Sequence, residues 1–138
     1  MQYSKEKIVK ALLLAPLPLL LFTALLFIIV NREYSLYSIA VVFVGHALIY
    51  LAYVILTLPF TFLISIFLDR YLDLNLLTIC IGSLAVATPF FILLGWGHSG
   101  QISAEWWRVY ADPPAILMAL FPGFCYWLFL KFLSRKHK

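Results

Sequence analysis

Charge is what this chain has least of, and it is missing altogether from four long stretches. Asp, Glu, Lys and Arg make up 12% of the 138 residues, and none of them falls within residues 11–30, 39–68, 76–95 or 115–130. A soluble amphipathic helix needs a polar face, which stretches of this composition cannot supply. Strict polar–apolar alternation, the mark of a membrane β-strand, is missing too, which excludes a transmembrane barrel. For a chain with 64% hydrophobic residues the remaining environment is lipid, where a helix is the fold that pairs every backbone group with its own segment.

Chemistry-bearing residues are equally sparse. There are two cysteines and three histidines. Cys80 and Cys125 lie at different depths inside apolar stretches, so they read as packing thiols without a disulfide or a metal. No G-x-S-x-G elbow, H-E-x-x-H pair or Walker loop occurs, so no enzyme activity is expected. No cofactor is expected either. Haem would need His46 and His98 together, and His98 lies just past the third stretch, where it could reach His46 only if the loop at Gly97 folded inward. The basic residues flank apolar stretches without forming a basic face, which argues against a nucleic-acid partner.

What is there reads as an all-α polytopic membrane protein: one domain over 1–138, a four-transmembrane-helix bundle with spans at about 11–30, 39–62, 76–95 and 115–133, and an outer loop at 96–114. Each span has the roughly 17 residues that crossing a hydrocarbon core of about 30 Å requires. With the N-terminus cytoplasmic, that side carries Lys5, Lys7, Lys10, Arg70, Lys131, Arg135, Lys136 and Lys138, against Arg32 and Arg108 outside. The bias places both termini in the cytoplasm of a plasma membrane, most simply a bacterial inner membrane. The first span is too long for a signal-peptide core and is expected to be retained.

Local signals refine this. The first ten residues read as a short polar lead. Pro16 and Pro18 should bend the first span or delay its regular start, and Pro59 should interrupt the second, which is too long for the bilayer if straight. Asp69 to Asn75 should form a short solvated turn that makes spans 2 and 3 neighbours. Small residues in two sets on span 3, Thr78, Gly82, Ala85 and Pro89 on one side and Cys80, Ser83 and Ala87 on the other, suggest packing against two helices. On this basis Gly82→Leu should destabilise more than Leu77→Ala. Ala115, Ala119 and Gly123 form a similar seam on span 4. In the outer loop, Ser103 should cap a short interfacial helix over 104–111 anchored by Trp106.

Two groups of residues are candidate sites. His46, Tyr50, Tyr53, Thr57 and Thr61 follow helical spacing along one side of span 2, a polar stripe that could relay protons or line a hydrated path, or could simply bond across to other helices. In the outer loop, His98, Glu105, Trp106, Trp107 and Arg108 could contact a partner. In outline only, the size, four spans and inward termini are similar to some immunity proteins of pore-forming bacteriocins and to many small inner-membrane proteins, with no shared motif. The expected role is to bind or modulate another membrane component, a membrane protein or a second copy of the chain, with the bilayer itself as the constant partner. A small transporter or channel subunit using the stripe is the alternative, and a membrane enzyme using the outer loop a weaker one.

Overall fold

The computed structural model describes residues 3–32, 34–102 and 104–135, and within these it leaves aside the side chains of residues 93–95, 97 and 98. It is all-helical, with no strand among the described residues. The elements are α1 (Lys5–Leu14), α2 (Leu17–Asn31), α3 (Leu36–Ala52), a π-helical turn (Tyr53–Thr57), α4 (Leu58–Tyr71), α5 (Leu76–Ser99), a 3₁₀ turn (Trp106–Ala111) and α6 (Pro113–Arg135). Three stretches, Lys5–Asn31, Leu36–Tyr71 and Pro113–Arg135, are long and apolar enough to cross a membrane, and Leu76–Ile92 of α5 is a shorter apolar stretch.

The prolines determine where the long stretches change geometry. Pro16 and Pro18 cannot donate backbone hydrogen bonds, and the first stretch breaks there into α1 and α2. Ahead of Pro59 the ladder slips to a wider register, in which the Leu58 N–H reaches Tyr53 O, so the second stretch passes the proline through a π turn and stays helical to Tyr71. Asn75 and Thr78 form a reciprocal capping box at the start of α5, with Thr78 N 2.9 Å from Asn75 Oδ1. Thr78 is therefore a capping residue. At the other end of α5, Gly100 takes a left-handed conformation (φ 73°) and closes the helix by donating to Trp96 O.

Several sequence expectations are corrected here. The N-terminal lead is not a polar tail: Ser4 caps α1, and Ile8 and Ala11 of that helix are completely buried. The spacing of Ile8, Ala11, Leu12 and Ala15 gives α1 one apolar face, which packs on α4 and α6. Asp69 does not belong to a solvated turn. It lies in the last part of α4 and is 6% exposed. Residues 96–99, expected in the outer loop, are the last turn of α5.

The core sits at the end of the bundle that holds both chain termini, where Ile8, Leu12, Leu74, Ile79, Tyr126 and Leu130 cluster. At this end α1, α4, α5 and α6 pack in a closed ring, α1 on α4 and α6, and α5 on α4 and α6. Toward the far end the arrangement opens. There α3 packs on α2, while α5 stays with α6 and the 3₁₀ turn. The outward faces of α2, α3 and α4 are bare hydrocarbon, with Phe22, Ile29, Val44, Leu48, Phe60 and Leu63 all more than half exposed, as a helix facing lipid requires.

Candidate functional site

In the polar stripe of the second stretch, Tyr50, Tyr53 and Thr61 hydrogen-bond to backbone carbonyls, and the π turn at Tyr53–Thr57 widens the register midway along it. Tyr53 Oη donates to Leu12 O at 3.0 Å, and Tyr50 Oη donates to Leu13 O at 3.0 Å. Leu12 O is the carbonyl that Pro16 leaves without its helical donor, and Leu13 O lies beside it at the same break. The two tyrosines thus repair the interruption in α1–α2, with their rings 6.3 Å apart. Thr61 Oγ1 donates to Thr57 O and Leu58 O, and Thr57 itself is 8% exposed. His46 is half-buried, with Nδ1 2.8 Å from Val42 O one turn back on its own helix.

His46 therefore has no described hydrogen bond to another helix. His46→Phe is expected to leave the unfolding midpoint in detergent close to wild type, within about 0.5 kcal/mol. A loss of 2 kcal/mol or more (roughly what an unsatisfied buried group costs) would mean that the ring makes an essential contact.

The stripe continues beyond its expected end. Ser65 and Asp69 follow Thr57 and Thr61 at four-residue spacing, and both are buried. Tyr126 of α6 faces them. It is 5% exposed, with Ser65, Asp69, Tyr3 and Tyr53 as polar neighbours, and among the described residues its hydroxyl has no partner at strict hydrogen-bonding geometry. The recurring interval of four residues carried the signal for Ser65 and Asp69, whereas nothing in the sequence singles out Tyr126.

Beside the stripe lies a cleft of about 560 Å³. The end of α3, the π turn and α4 form one wall, α5 and α6 the other, and Leu12 of α1 with Ala15 just after it the back. Its rim residues Ile49, Leu56, Phe90 and Met118 are exposed, so it opens sideways where α3 and α5 part. Its floor is closed by Leu74, Ile79 and Tyr126, all buried. Hydroxyls on the walls turn back onto their own helices, Ser83 donating to Cys80 O and Thr61 to Thr57 O. The rest of the lining is mostly hydrocarbon, with Thr57, Ser65 and Tyr126 adding hydroxyl groups low in the cleft.

The expected small-residue contacts divide between two helices. Ala115, Ala119 and Gly123 of α6 are all buried, and a Cβ placed on Gly123 would lie 2.9 Å from Ser83 Cβ, so α5 and α6 meet closely there. Gly82 instead borders the cleft, and a Cβ on it would meet only side-chain ends, Leu68 Cδ1 at 3.6 Å and Ile64 Cγ2 at 3.8 Å. Ala85 and Pro89 of the same stripe are exposed. Cys80 and Cys125 are free thiols, half-buried and buried.

Of the loop residues expected to meet a partner, those with described side chains lie on the surface. Glu105, Trp106, Trp107 and Arg108 are all exposed, and Arg108 Nε pairs with Glu105 Oε2 at 2.8 Å. The segment is a 3₁₀ turn from Trp106, and the expected cap, Ser103, lies outside the described residues, as does the side chain of His98. Trp106 meets Trp107 and Tyr110 edge-on. Tyr110 is hydrogen-bonded to Thr88, which ties the turn to α5. No protein-family model matches the chain, and neither a curated protein nor a solved structure does.

Proposed function

We propose that this chain is a four-span, multi-pass plasma-membrane protein, most simply of a bacterial inner membrane, that acts without catalysis by binding another membrane component in its lateral cleft. The observation that carries this reading is the cleft itself, an apolar space that opens toward the lipid-facing surface between α3 and α5. The hydrogen bonds of Tyr50, Tyr53 and Thr61 to backbone carbonyls favour binding over conduction, because a proton path or hydrated pore needs groups with capacity to spare.

In this reading α5 is the third span, and the end of the bundle with both termini is cytoplasmic. The Lys and Arg asymmetry supports that orientation. So do two pairs at this end, Arg70 over the Tyr71 ring at 5.6 Å and Lys131 over the Trp127 ring at 4.2 Å, since aromatic rings with cations suit the headgroup layer. Trp106 and Trp107 would occupy the opposite interface. Reporter fusions after Asp73 and Lys138 are expected to read as cytoplasmic, and those after Tyr34 and Glu105 as external. An external signal from the Lys138 fusion would overturn the four-span arrangement.

The binding role is tested by extracting the protein from native membranes in mild detergent and weighing the intact assembly by native mass spectrometry. Wild type and Leu77→Ala, a change on an exposed face, should retain added mass. Gly82→Leu, which places a side chain into the cleft, should lose it. Equal retention by all three would show that binding does not use the cleft.

A further inference from the structure

Independently of the cleft, we infer that the outward face of α6 binds one anionic phospholipid, with its phosphate at Lys131 and Arg135 and an acyl chain along Leu128, Phe124, Phe121 and Leu117. At the helical interval of about 100° per residue these six fall within about 80° of arc, and all are exposed. Ala119, Gly123 and Tyr126 are buried on the opposite side. The apolar part of the stripe also has the right length. Leu117 and Leu128 are separated by about 16 Å of helix rise, close to half of a hydrocarbon core of about 30 Å, which is the depth that one acyl chain covers.

Charge decides the headgroup. No Asp or Glu follows Asp112 in the sequence, and neither Lys131 nor Arg135 takes part in an ion pair among the described residues. The carboxylates at this end of the bundle lie elsewhere: Glu6 pairs with Lys10 on α1, Asp69 is buried in α4, and Asp73 lies between α4 and α5. Trp127 stacks on Phe124 at 6.0 Å and holds the Lys131 ammonium 4.2 Å from its ring centroid, which fixes a cation where the apolar stripe ends. Arg135 follows one turn later, about 6 Å along the axis, so one phosphate can reach both. The negative end of the α6 dipole lies here and opposes an anion, so the site requires both cations. A zwitterionic phospholipid offers the same phosphate but brings its own cation, so net charge sets the preference. An acidic protein segment would match the two cations and leave the hydrocarbon stripe uncovered, whereas an anionic lipid matches both.

The test is native mass spectrometry of the full chain in mild detergent with equal amounts of phosphatidylglycerol and phosphatidylcholine. Wild type should retain phosphatidylglycerol about tenfold over phosphatidylcholine. Lys131→Gln with Arg135→Gln should bring the two lipids near parity without moving the unfolding midpoint, since both side chains are exposed. Lys131→Arg with Arg135→Lys should keep the preference, as should Lys5→Gln with Lys7→Gln, which removes the same charge from α1 at the same end. A phosphatidylglycerol probe with a diazirine at its chain terminus should label α6 around Leu117, and excess inorganic phosphate should not displace the lipid. Parity in the wild type overturns the inference, as does an equal loss in the α1 pair, which would make the preference one of overall charge. Displacement by inorganic phosphate would reduce the site to an anion site without the acyl track. A protein mass retained from native membranes and lost with the Lys131 and Arg135 substitutions would replace the lipid with an acidic partner.

Discussion

Gly123→Ala should lower the stability of the folded bundle by about 1–3 kcal/mol, the usual cost of forcing extra volume into a filled contact. The new methyl would lie 2.7 Å from Ser83 Oγ and 2.9 Å from Ser83 Cβ. The hydroxyl can rotate away, but Ser83 Cβ is fixed to the backbone, so α5 and α6 must separate along the seam that also buries Ala115 and Ala119. In lipid such a seam depends on close backbone approach. Adding Ser83→Gly should restore part of the loss. Gly82→Ala should be neutral or stabilising by up to about 1 kcal/mol, because alanine favours the helix and its methyl meets side chains at ordinary distance. Denaturant unfolding in a single detergent checks the series. Equal stability of Gly123→Ala and wild type would refute the tight α5–α6 contact.

The second large effect is expected at Tyr53. Tyr53→Phe removes the donor to Leu12 O, leaving a carbonyl buried at a proline break with no other donor described, and should cost about 1–3 kcal/mol. Tyr50→Phe should act in the same direction through Leu13 O. The diagnostic comparison is with Pro16→Ala, which returns a backbone N–H at position 16 for Leu12 O. In that background Tyr53→Phe should cost less, with a coupling of about 0.5–3 kcal/mol between the two sites. Strict additivity in the same unfolding measurement would mean that the tyrosine does not serve the break.

These two contacts mark the boundary of what the sequence could reveal. The break at Pro16 and Pro18 was legible, because those prolines act through local backbone chemistry, whereas at Pro59 the helix continues through a π turn. The stripe was legible as a periodicity. Its purpose was not, because Tyr50 and Tyr53 find their acceptors 37 and 41 residues away, and spacing along one helix says nothing of what stands opposite. Asp69 was misplaced for a different reason: a carboxylate next to Arg70 and Asp73 resembles the end of a span, yet α4 continues to Tyr71 and turns Asp69 inward. Small residues identified α5 and α6 as close-packing helices, but not that Gly123 meets Ser83 while Gly82 borders open space. The cleft is the least legible feature, since it arises from the divergence of α3 and α5 and from no residue by itself.

The most direct measurement places a photocrosslinking amino acid at Val86, inside the cleft, and at Leu77, on an exposed face, in full-length protein expressed in its native membrane. After irradiation, the adducts at each position are identified by mass. A binding cleft should yield one dominant adduct at Val86, distinct from the mixture of membrane components captured at Leu77. The same mixture at both positions, or no adduct at Val86, would contradict the proposed role.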